Sequence, residues 1–142
     1  MGTDIKTWAV DKDGNDITDK GDWGYDIDCD YHHQFPFDWR SYAMYGFLAG
    51  VRGYLDIAPI AKGRPWEDGP EFLKEGDACE ESLQGETWVY VHELDSFDYD
   101  IDVFNEQSRS IVNLREYLGA EYFKHIDELK RIGADKVFMA FY

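Results

Sequence analysis

Apolar and polar residues along this chain switch between two periods, and the switches mark out its elements. Residues 4–10 alternate, with Ile5, Thr7 and Ala9 on one face of an extended strand and Lys6, Trp8 and Val10 on the other. The Asp-Lys-Asp-Gly-Asn that follows, residues 11–15, is turn chemistry and predicts the bend of a hairpin. Residues 25–31 read Tyr-Asp-Ile-Asp-Cys-Asp-Tyr. This period of two predicts a strand with Asp26, Asp28 and Asp30 on its outward side and Tyr25, Ile27, Cys29 and Tyr31 opposite. A second such row comes later, where Asp98, Asp100 and Asp102 alternate with Phe97, Tyr99, Ile101 and Val103. Residues 87–91, Thr-Trp-Val-Tyr-Val, and residues 136–142, Lys-Val-Phe-Met-Ala-Phe-Tyr, predict two further strands.

Helical spacing appears twice. From Trp39 to about Arg52, one stripe holds Trp39, Ala43, Gly46 and Phe47, and Tyr45, Leu48 and Ala49 lie beside it. Apolar character over more than one face predicts a central, largely covered helix, capped by Asp38 and stopped at Gly53, with Gly46 and Gly50 admitting another element closely. Residues 107–132 are good helix formers with apolar positions at Ile111, Leu114, Leu118, Tyr122, Ile126 and Leu129, divided into two helices at Gly119. Residues 61–70 read as a loop on their Gly and Pro content, and a short helix is expected around residues 71–76. No repeat, low-complexity tract or linker interrupts the chain. Residues 1–142 are therefore expected to form a single α+β domain: a small, mainly antiparallel sheet packed by one central helix and a C-terminal helical segment.

Charge changes this picture more than composition does. With 44% apolar and 17% aromatic residues in 142, the chain can bury a core. A net charge of −16 imposes self-repulsion on the compact state, so a cationic partner is expected and neither bare nucleic acid nor an anionic membrane suits it. The charge is also segregated. Residues 39–66 carry Arg40, Arg52, Lys62 and Arg64 against Asp56 alone, a net of +3 that leaves −19 for the rest. No apolar run approaches the ~20 residues of a bilayer span. The first residues read as neither signal nor transit peptide, so the expected location is the cytoplasm in which the chain is made.

The two aspartate rows are the first candidate for chemistry. Alternate strand residues repeat every ~6.5–7 Å, close to the spacing of phosphates along a nucleic-acid strand. Asp26, Asp28, Asp30, Asp98, Asp100 and Asp102 could thus present a decoy backbone to a protein that grips DNA or RNA; the plainer alternative is a charged strand edge that resists aggregation. The same first row with His32 or His33 could bind a metal, although no calcium-loop spacing is present, and His92 and His125 are isolated.

The basic segment is the second candidate. Arg40, Arg52, Lys62 and Arg64 with Tyr42, Tyr45, Tyr54 and Trp66 offer guanidinium groups for phosphate and rings for a base, the makings of a nucleotide pocket. Arg40 and Arg52, twelve positions apart on one continuous helix, could not share a small anion there. The plainer alternative is internal neutralisation of surplus carboxylates, for example of Asp56 by Arg52. Cys29 and Cys79 form no framework or metal spacing and are expected to be structural, the charges beside Cys29 disfavouring a thiolate. Signatures of Ser hydrolases, phosphate-binding loops, dinucleotide folds and zinc proteases are all missing, which moves weight from catalysis to binding. No cofactor is expected.

Several short motifs resemble an uncharacterised protein family that recurs in tailed bacteriophages. They are Met1, Gly2, Asp4 and Ile5; Tyr42, Tyr45, Leu48, Ala49, Val51 and Arg52; Pro59, Ile60, Ala61, Arg64 and Pro65; and the aromatic strand 137–142. The family's Met-Gly-x-Asp-Ile-His start has Lys6 in place of its His, and its Gly-His-Ser-His-Ser run is Gly85, Glu86, Thr87, Trp88 and Val89 in this chain. The resemblance implies a phage origin and a host cytoplasmic setting, and the lost histidines lower the expectation of an enzyme. The function expected is a non-enzymatic counter-defence protein whose acidic face binds and inhibits a host nucleic-acid-handling complex with a basic surface. One alternative is a sponge for a nucleotide immune signal built on Arg40, Arg52, Lys62, Arg64, Tyr54 and Trp66. A metal-dependent phosphoester hydrolase is the other, so catalysis stays open.

Overall fold

The computed structural model describes residues 2–66, 69 and 83–142. The chain runs β1 (Ile5–Val10), a 3-10 turn (Thr18–Lys20), β2 (Tyr25–Asp26), β3 (Tyr31–His32), α1 (Tyr42–Ala49) and β4 (Gln84–Tyr90). It continues through α2 (Val91–Ser96), β5 (Asp102–Asn105), β6 (Ser110–Asn113), α3 (Leu114–Leu118), α4 (Ala120–Ile132) and β7 (Lys136–Phe141). The most apolar strand takes the middle of the sheet: β7 lies between β1 and β4 and is antiparallel to both. This is the α+β fold expected, with the strands at residues 4–10, 87–91 and 136–142 all present in it.

Both faces of the sheet are covered, which explains why β1 is buried almost throughout. On one face Ala9, Val137 and Val89 lie in register across the three strands and join the main core. On the other, Trp8, Phe138 and Trp88 align and pack with Val10 and Trp66 as a second, smaller cluster. Outer strands expose backbone groups that must find partners. At β1 the Ala9 N–H donates to Thr18 Oγ1 (2.9 Å) and its carbonyl accepts from Ile17 N–H (2.8 Å). At β4 the Thr87 carbonyl accepts from Trp66 Nε1 (3.0 Å) and the Trp88 carbonyl from Arg64 Nη1 (3.4 Å).

The central helix is shorter than the pattern 39–52 predicts, and its ends differ. Ser41, not Asp38, caps its start, Oγ accepting the Met44 N–H at 3.2 Å. Gly50, with φ +74°, ends it before Gly53. Its burial is as expected: Ala43, Met44, Tyr45, Phe47, Leu48 and Ala49 are all inside. The last carbonyls of a helix lack partners within it. Here the chain returns over the helix, and Ile60 N–H and Ala61 N–H donate to the Phe47 and Leu48 carbonyls at 2.8 and 3.0 Å. That return depends on contact between Gly46 and Gly53, since a Cβ on either would overlap the other's Cα.

The C-terminal half is partly re-read by the structure. Gly119 divides two helices as predicted, but residues before Leu114 form the β5–β6 hairpin, turning at Arg109 with φ +57°. The 11–15 turn forms, yet the returning chain makes only the Val10–Asp16 bridge before the 3-10 turn. The helix expected at 71–76 lies outside the described residues. Aromatic side chains bind the layers together: Phe47 meets Phe97 at 5.0 Å and Tyr122 stacks on Phe37 at 5.0 Å. Tyr99 donates to the Leu94 carbonyl (2.7 Å) and accepts from Tyr122 (2.9 Å), and burial pushes its hydroxyl up to about 12. Among the described residues no helix is long and apolar enough to cross a membrane.

The glycine contact gives a test in which helix propensity and packing oppose each other. Ala is favoured over Gly in a helix by about 1 kcal/mol, whereas a backbone clash in a packed core costs about 1–3 kcal/mol. Gly46→Ala is expected to lower the free energy of unfolding, measured by urea denaturation; an increase would show that Gly53 yields.

Candidate functional site

Neither aspartate row forms the extended line that alternation predicts. Residues 25–32 are a tight hairpin in which Tyr25 pairs with His32 and Asp26 with Tyr31. Asp26 Oδ1 turns inward to accept the Asp28 N–H at 3.0 Å and the Cys29 N–H at 3.4 Å. Asp30 has φ +50° and accepts the Tyr25 hydroxyl. In the second row Asp98 Oδ1 accepts the Asp100 N–H (3.0 Å), Asp100 is bound by Arg115 (2.7 Å), and only Asp102 lies on a strand. The Arg115 hydrogen bond holds the Asp100 carboxyl below its usual range.

One local device accounts for the difference. Asp11, Asp16, Asp22, Asp26 and Asp98 each accept the N–H of the residue two positions on. An Asp side chain that closes such a turn competes with strand formation. The low strand preference of Asp was the signal in the sequence that pointed this way.

What the hairpin does create is an exposed apolar tip. Ile27 is 81% exposed, Tyr25 48% and Tyr31 41%, although the strand reading put these three on the side away from the carboxylates. Among the described residues, the ion pairs to Lys or Arg involve Asp4, Glu93, Asp95, Asp100, Glu121 and Glu128, not Asp26, Asp28 or Asp30. Tyr25 and His32 rings meet at a 45° tilt with centroids 4.6 Å apart, and the Tyr31 hydroxyl donates to Asp38 Oδ2 at 2.9 Å. Asp38 also accepts the Gln34 N–H, so it braces the hairpin where it was expected to cap a helix. Beside Tyr25 opens a cleft of about 310 Å³ lined by Asp22, Trp23, Gly24, Glu121, Lys124 and His125. Cys29 is exposed, so it does not pack the core as expected, and the nearby Asp26 charge pushes its thiol up. Cys79 lies outside the described residues.

The basic segment is drawn into the fold. Because the helix stops at Ala49 and the chain reverses, Arg40 and Arg52 both reach the N-terminal residues instead of standing apart along one helix. Arg40 binds both carboxylate oxygens of Asp4 at 3.1 Å and packs on Gly2; Arg52 Nε donates to Thr3 Oγ1 (3.0 Å) and its guanidinium lies over Tyr42. Arg64 grips Glu93 at 2.6 and 2.9 Å, donates to the Trp88 and Ile60 carbonyls, and stacks on Trp88. Trp66 caps β4, the Tyr54 hydroxyl accepts from Tyr117, and the Lys62 stem covers Gly50. The residues grouped for a nucleotide pocket therefore serve separate structural contacts. Among the described residues no group of three or more His, Cys, Asp or Glu side chains could hold a metal ion.

His125, which the sequence gave no reason to single out, anchors the hairpin from below. Its Nδ1 accepts the N–H of Phe37 (2.8 Å), a buried residue with φ +62°, which leaves Nε2–H to donate to the Trp23 carbonyl (2.8 Å). Trp39 and His33 pack against its ring at 5.0 and 6.1 Å. Both nitrogens are committed in the neutral form, and a proton on Nδ1 would face the Phe37 N–H. Burial lowers the imidazole below its ordinary value, a fall the Trp23 carbonyl opposes, His33 assists, and Glu121 and Asp38 oppose.

Comparison with protein-family models, curated proteins and solved structures finds no match for this chain. The chemistry of the site thus rests on its own residues. For His125 the consequence is a pH dependence of known sign. The unfolded chain takes up the proton near 6.5 and the folded chain only below that, so this contribution to stability is full above the unfolded value and is lost as pH falls from there through the lower folded value. The unfolding free energy should fall by up to about 1.4 kcal/mol per pH unit from this group. His125→Gln, which can accept and donate at the same two places without titrating, should flatten that part of the profile in denaturation curves taken at stepwise pH. Parallel wild-type and variant profiles would contradict the assignment.

Proposed function

We propose that this chain is a non-enzymatic binding protein that attaches through an acidic face to a basic, nucleic-acid-handling protein and blocks it. Within the phage family that its motifs resemble, this makes it a counter-defence protein acting in the host cytoplasm. The observation that supports the reading is the β2–β3 hairpin tip, where Tyr25, Ile27 and Tyr31 are exposed among Asp26, Asp28 and Asp30. Large apolar and tyrosine side chains held at a rigid surface, with charge around them, are what anchors a protein interface. Carboxylates at the rim steer a cationic partner and keep like-charged ones away.

The hairpin replaces the two ordered rows as the contact surface. Mimicry of a phosphate backbone by regular spacing is not part of this reading, because Asp98, Asp100 and Asp102 diverge and Asp100 is held by Arg115. The cleft beside Tyr25 adds no separate cation site to this reading, because Lys124 lines it and pairs with Glu121 and the Trp23 ring is buried. The nucleotide-sponge alternative has less support, since its arginines already hold Asp4, Thr3 and Glu93.

Ile27→Ser with Asp28→Asn tests the proposal at positions whose exposure predicts little change in stability, within about 0.5 kcal/mol. Wild type and variant would be used as baits in a bacterial lysate at two salt concentrations, with duplex DNA as competitor. The expected outcome is capture of a nucleic-acid-binding protein that DNA displaces and that the variant binds at least about tenfold more weakly in a direct titration. Equal capture by both baits, or capture that DNA does not affect, would sink it.

A further inference from the structure

The β5–β6 hairpin carries a second exposed apolar surface, and it coincides with a strand edge that is unpaired among the described residues. Phe104 and Ile111 are directly opposite in register, so their side chains share one face, and they are 38% and 65% exposed. The backbone directions follow from the other side of β5. Phe104 C=O accepts from Asp56 N–H and Glu106 N–H donates to Tyr54 C=O, both at 2.8 Å, so these two residues point away from β6. Val103 and Asn105 therefore face β6, and their register partners Val112 and Ser110 answer them. Ile111 N–H and C=O then point outward, on the edge of β6 that pairs with no strand among the described residues.

From this we infer that the outer edge of β6, with the Phe104–Ile111 face, is a docking site for an extended strand of a basic partner protein in which Lys or Arg alternates with apolar residues. The added strand takes its main-chain bonds at Ile111 and lays apolar side chains beside Phe104 and Ile111. Its charge is set by the surroundings. Asp102 and Glu106 stand two positions either side of Phe104 on the same face, and Asp56 lies on the neighbouring segment, with Arg109 at the turn as the near cation. A second copy of this chain would bring the same carboxylates together under a net charge of −16, which disfavours it as the occupant. This site uses different residues from the 25–32 hairpin and stands whether or not that hairpin binds.

A soluble peptide in which Lys alternates with Val and Thr is the probe, with a peptide of the same composition interrupted by Pro as its control. Amide exchange and chemical shifts of the full chain report the site directly. The alternating peptide should protect the Ile111 amide and shift Phe104, Ile111 and Asn113. Ile111→Pro removes an outward-facing donor together with the Ile111 side chain and is compatible with an edge strand, and it should weaken binding at least about tenfold, as should Phe104→Ser. Unprotected Ile111 in the wild-type complex, a measurement that needs no variant, overturns the proposal. So does equal binding of the interrupted peptide, which would show attraction by charge alone. Concentration-dependent dimerisation lost in Phe104→Ser would assign the edge to a second copy instead and overturn the basic partner.

Discussion

Covering α1 is the constraint from which most of this architecture follows. A helix with apolar residues on all sides has no face to give to water, and six of its eight residues are buried. One sheet can cover only part of it. The chain closes the remainder by reversing at Gly50, touching Gly46 with Gly53, and returning through Ile60 and Ala61, whose N–H groups satisfy the helix's terminal carbonyls. Tyr45 meets Phe141 of β7 on one side and Phe47 meets Phe97 on another. With about 1.5–3 kcal/mol for each large side chain fully buried, this one short helix organises a large share of the core.

Charge segregation is a consequence of the same covering. The residues before and after α1 must run over aromatic rings, a glycine and an open strand edge, and Arg suits all three because its planar group stacks while its donors reach carbonyls. Arg40 lies on Gly2, Arg52 over Tyr42, and Arg64 along β4 with Glu93 behind it. Glu93 is itself fixed by accepting the Tyr90 N–H at the start of α2. The Arg64 contact holds the Glu93 carboxyl below its ordinary range, as expected for a pair that is only partly exposed. The arginines of residues 39–66 are thus engaged by the fold, Arg64 partly buried against Glu93 and Arg40 still exposed beside Asp4.

The sequence made the buried parts legible and misread the polar ones. Strands β1, β4 and β7 are apolar on both faces or alternate cleanly, so their period shows, and Gly119 announced its break between helices. Residues 25–31 and 97–103 alternate just as cleanly, yet Asp26 and Asp98 close turns through their own side chains. A period of two cannot distinguish a strand from a turn whose second residue is tied back. The relation between Arg40 and Arg52 was hidden for a different reason. It depends on where α1 ends, and a helix boundary set by a positive φ at Gly50 and a contact with Gly53 is tertiary information. The exposure of Ile27 and Ile111 was equally out of reach, because an apolar residue in a periodic segment, alternating at Ile27 and read as helical at Ile111, is assigned to the core by default.

Exposed isoleucines on a small protein invite self-association, and the surplus of carboxylates bears on that as much as on any partner. Ile27 sits among Asp26, Asp28 and Asp30, and Ile111 sits across from Phe104 with Asp102 and Glu106 alongside. Two copies approaching through either surface would bring these carboxylates together, at a distance where repulsion between exposed charges is felt within roughly 8–10 Å at ordinary salt. A cationic surface meets no such barrier and gains from the same contacts. Like charge therefore opposes self-association through an uncovered apolar side chain and, in the proposed binding role, would favour cationic partners. On this view the net charge and the exposed side chains are one feature: the charge makes the apolar tips tolerable, and the tips give the charge something to hold.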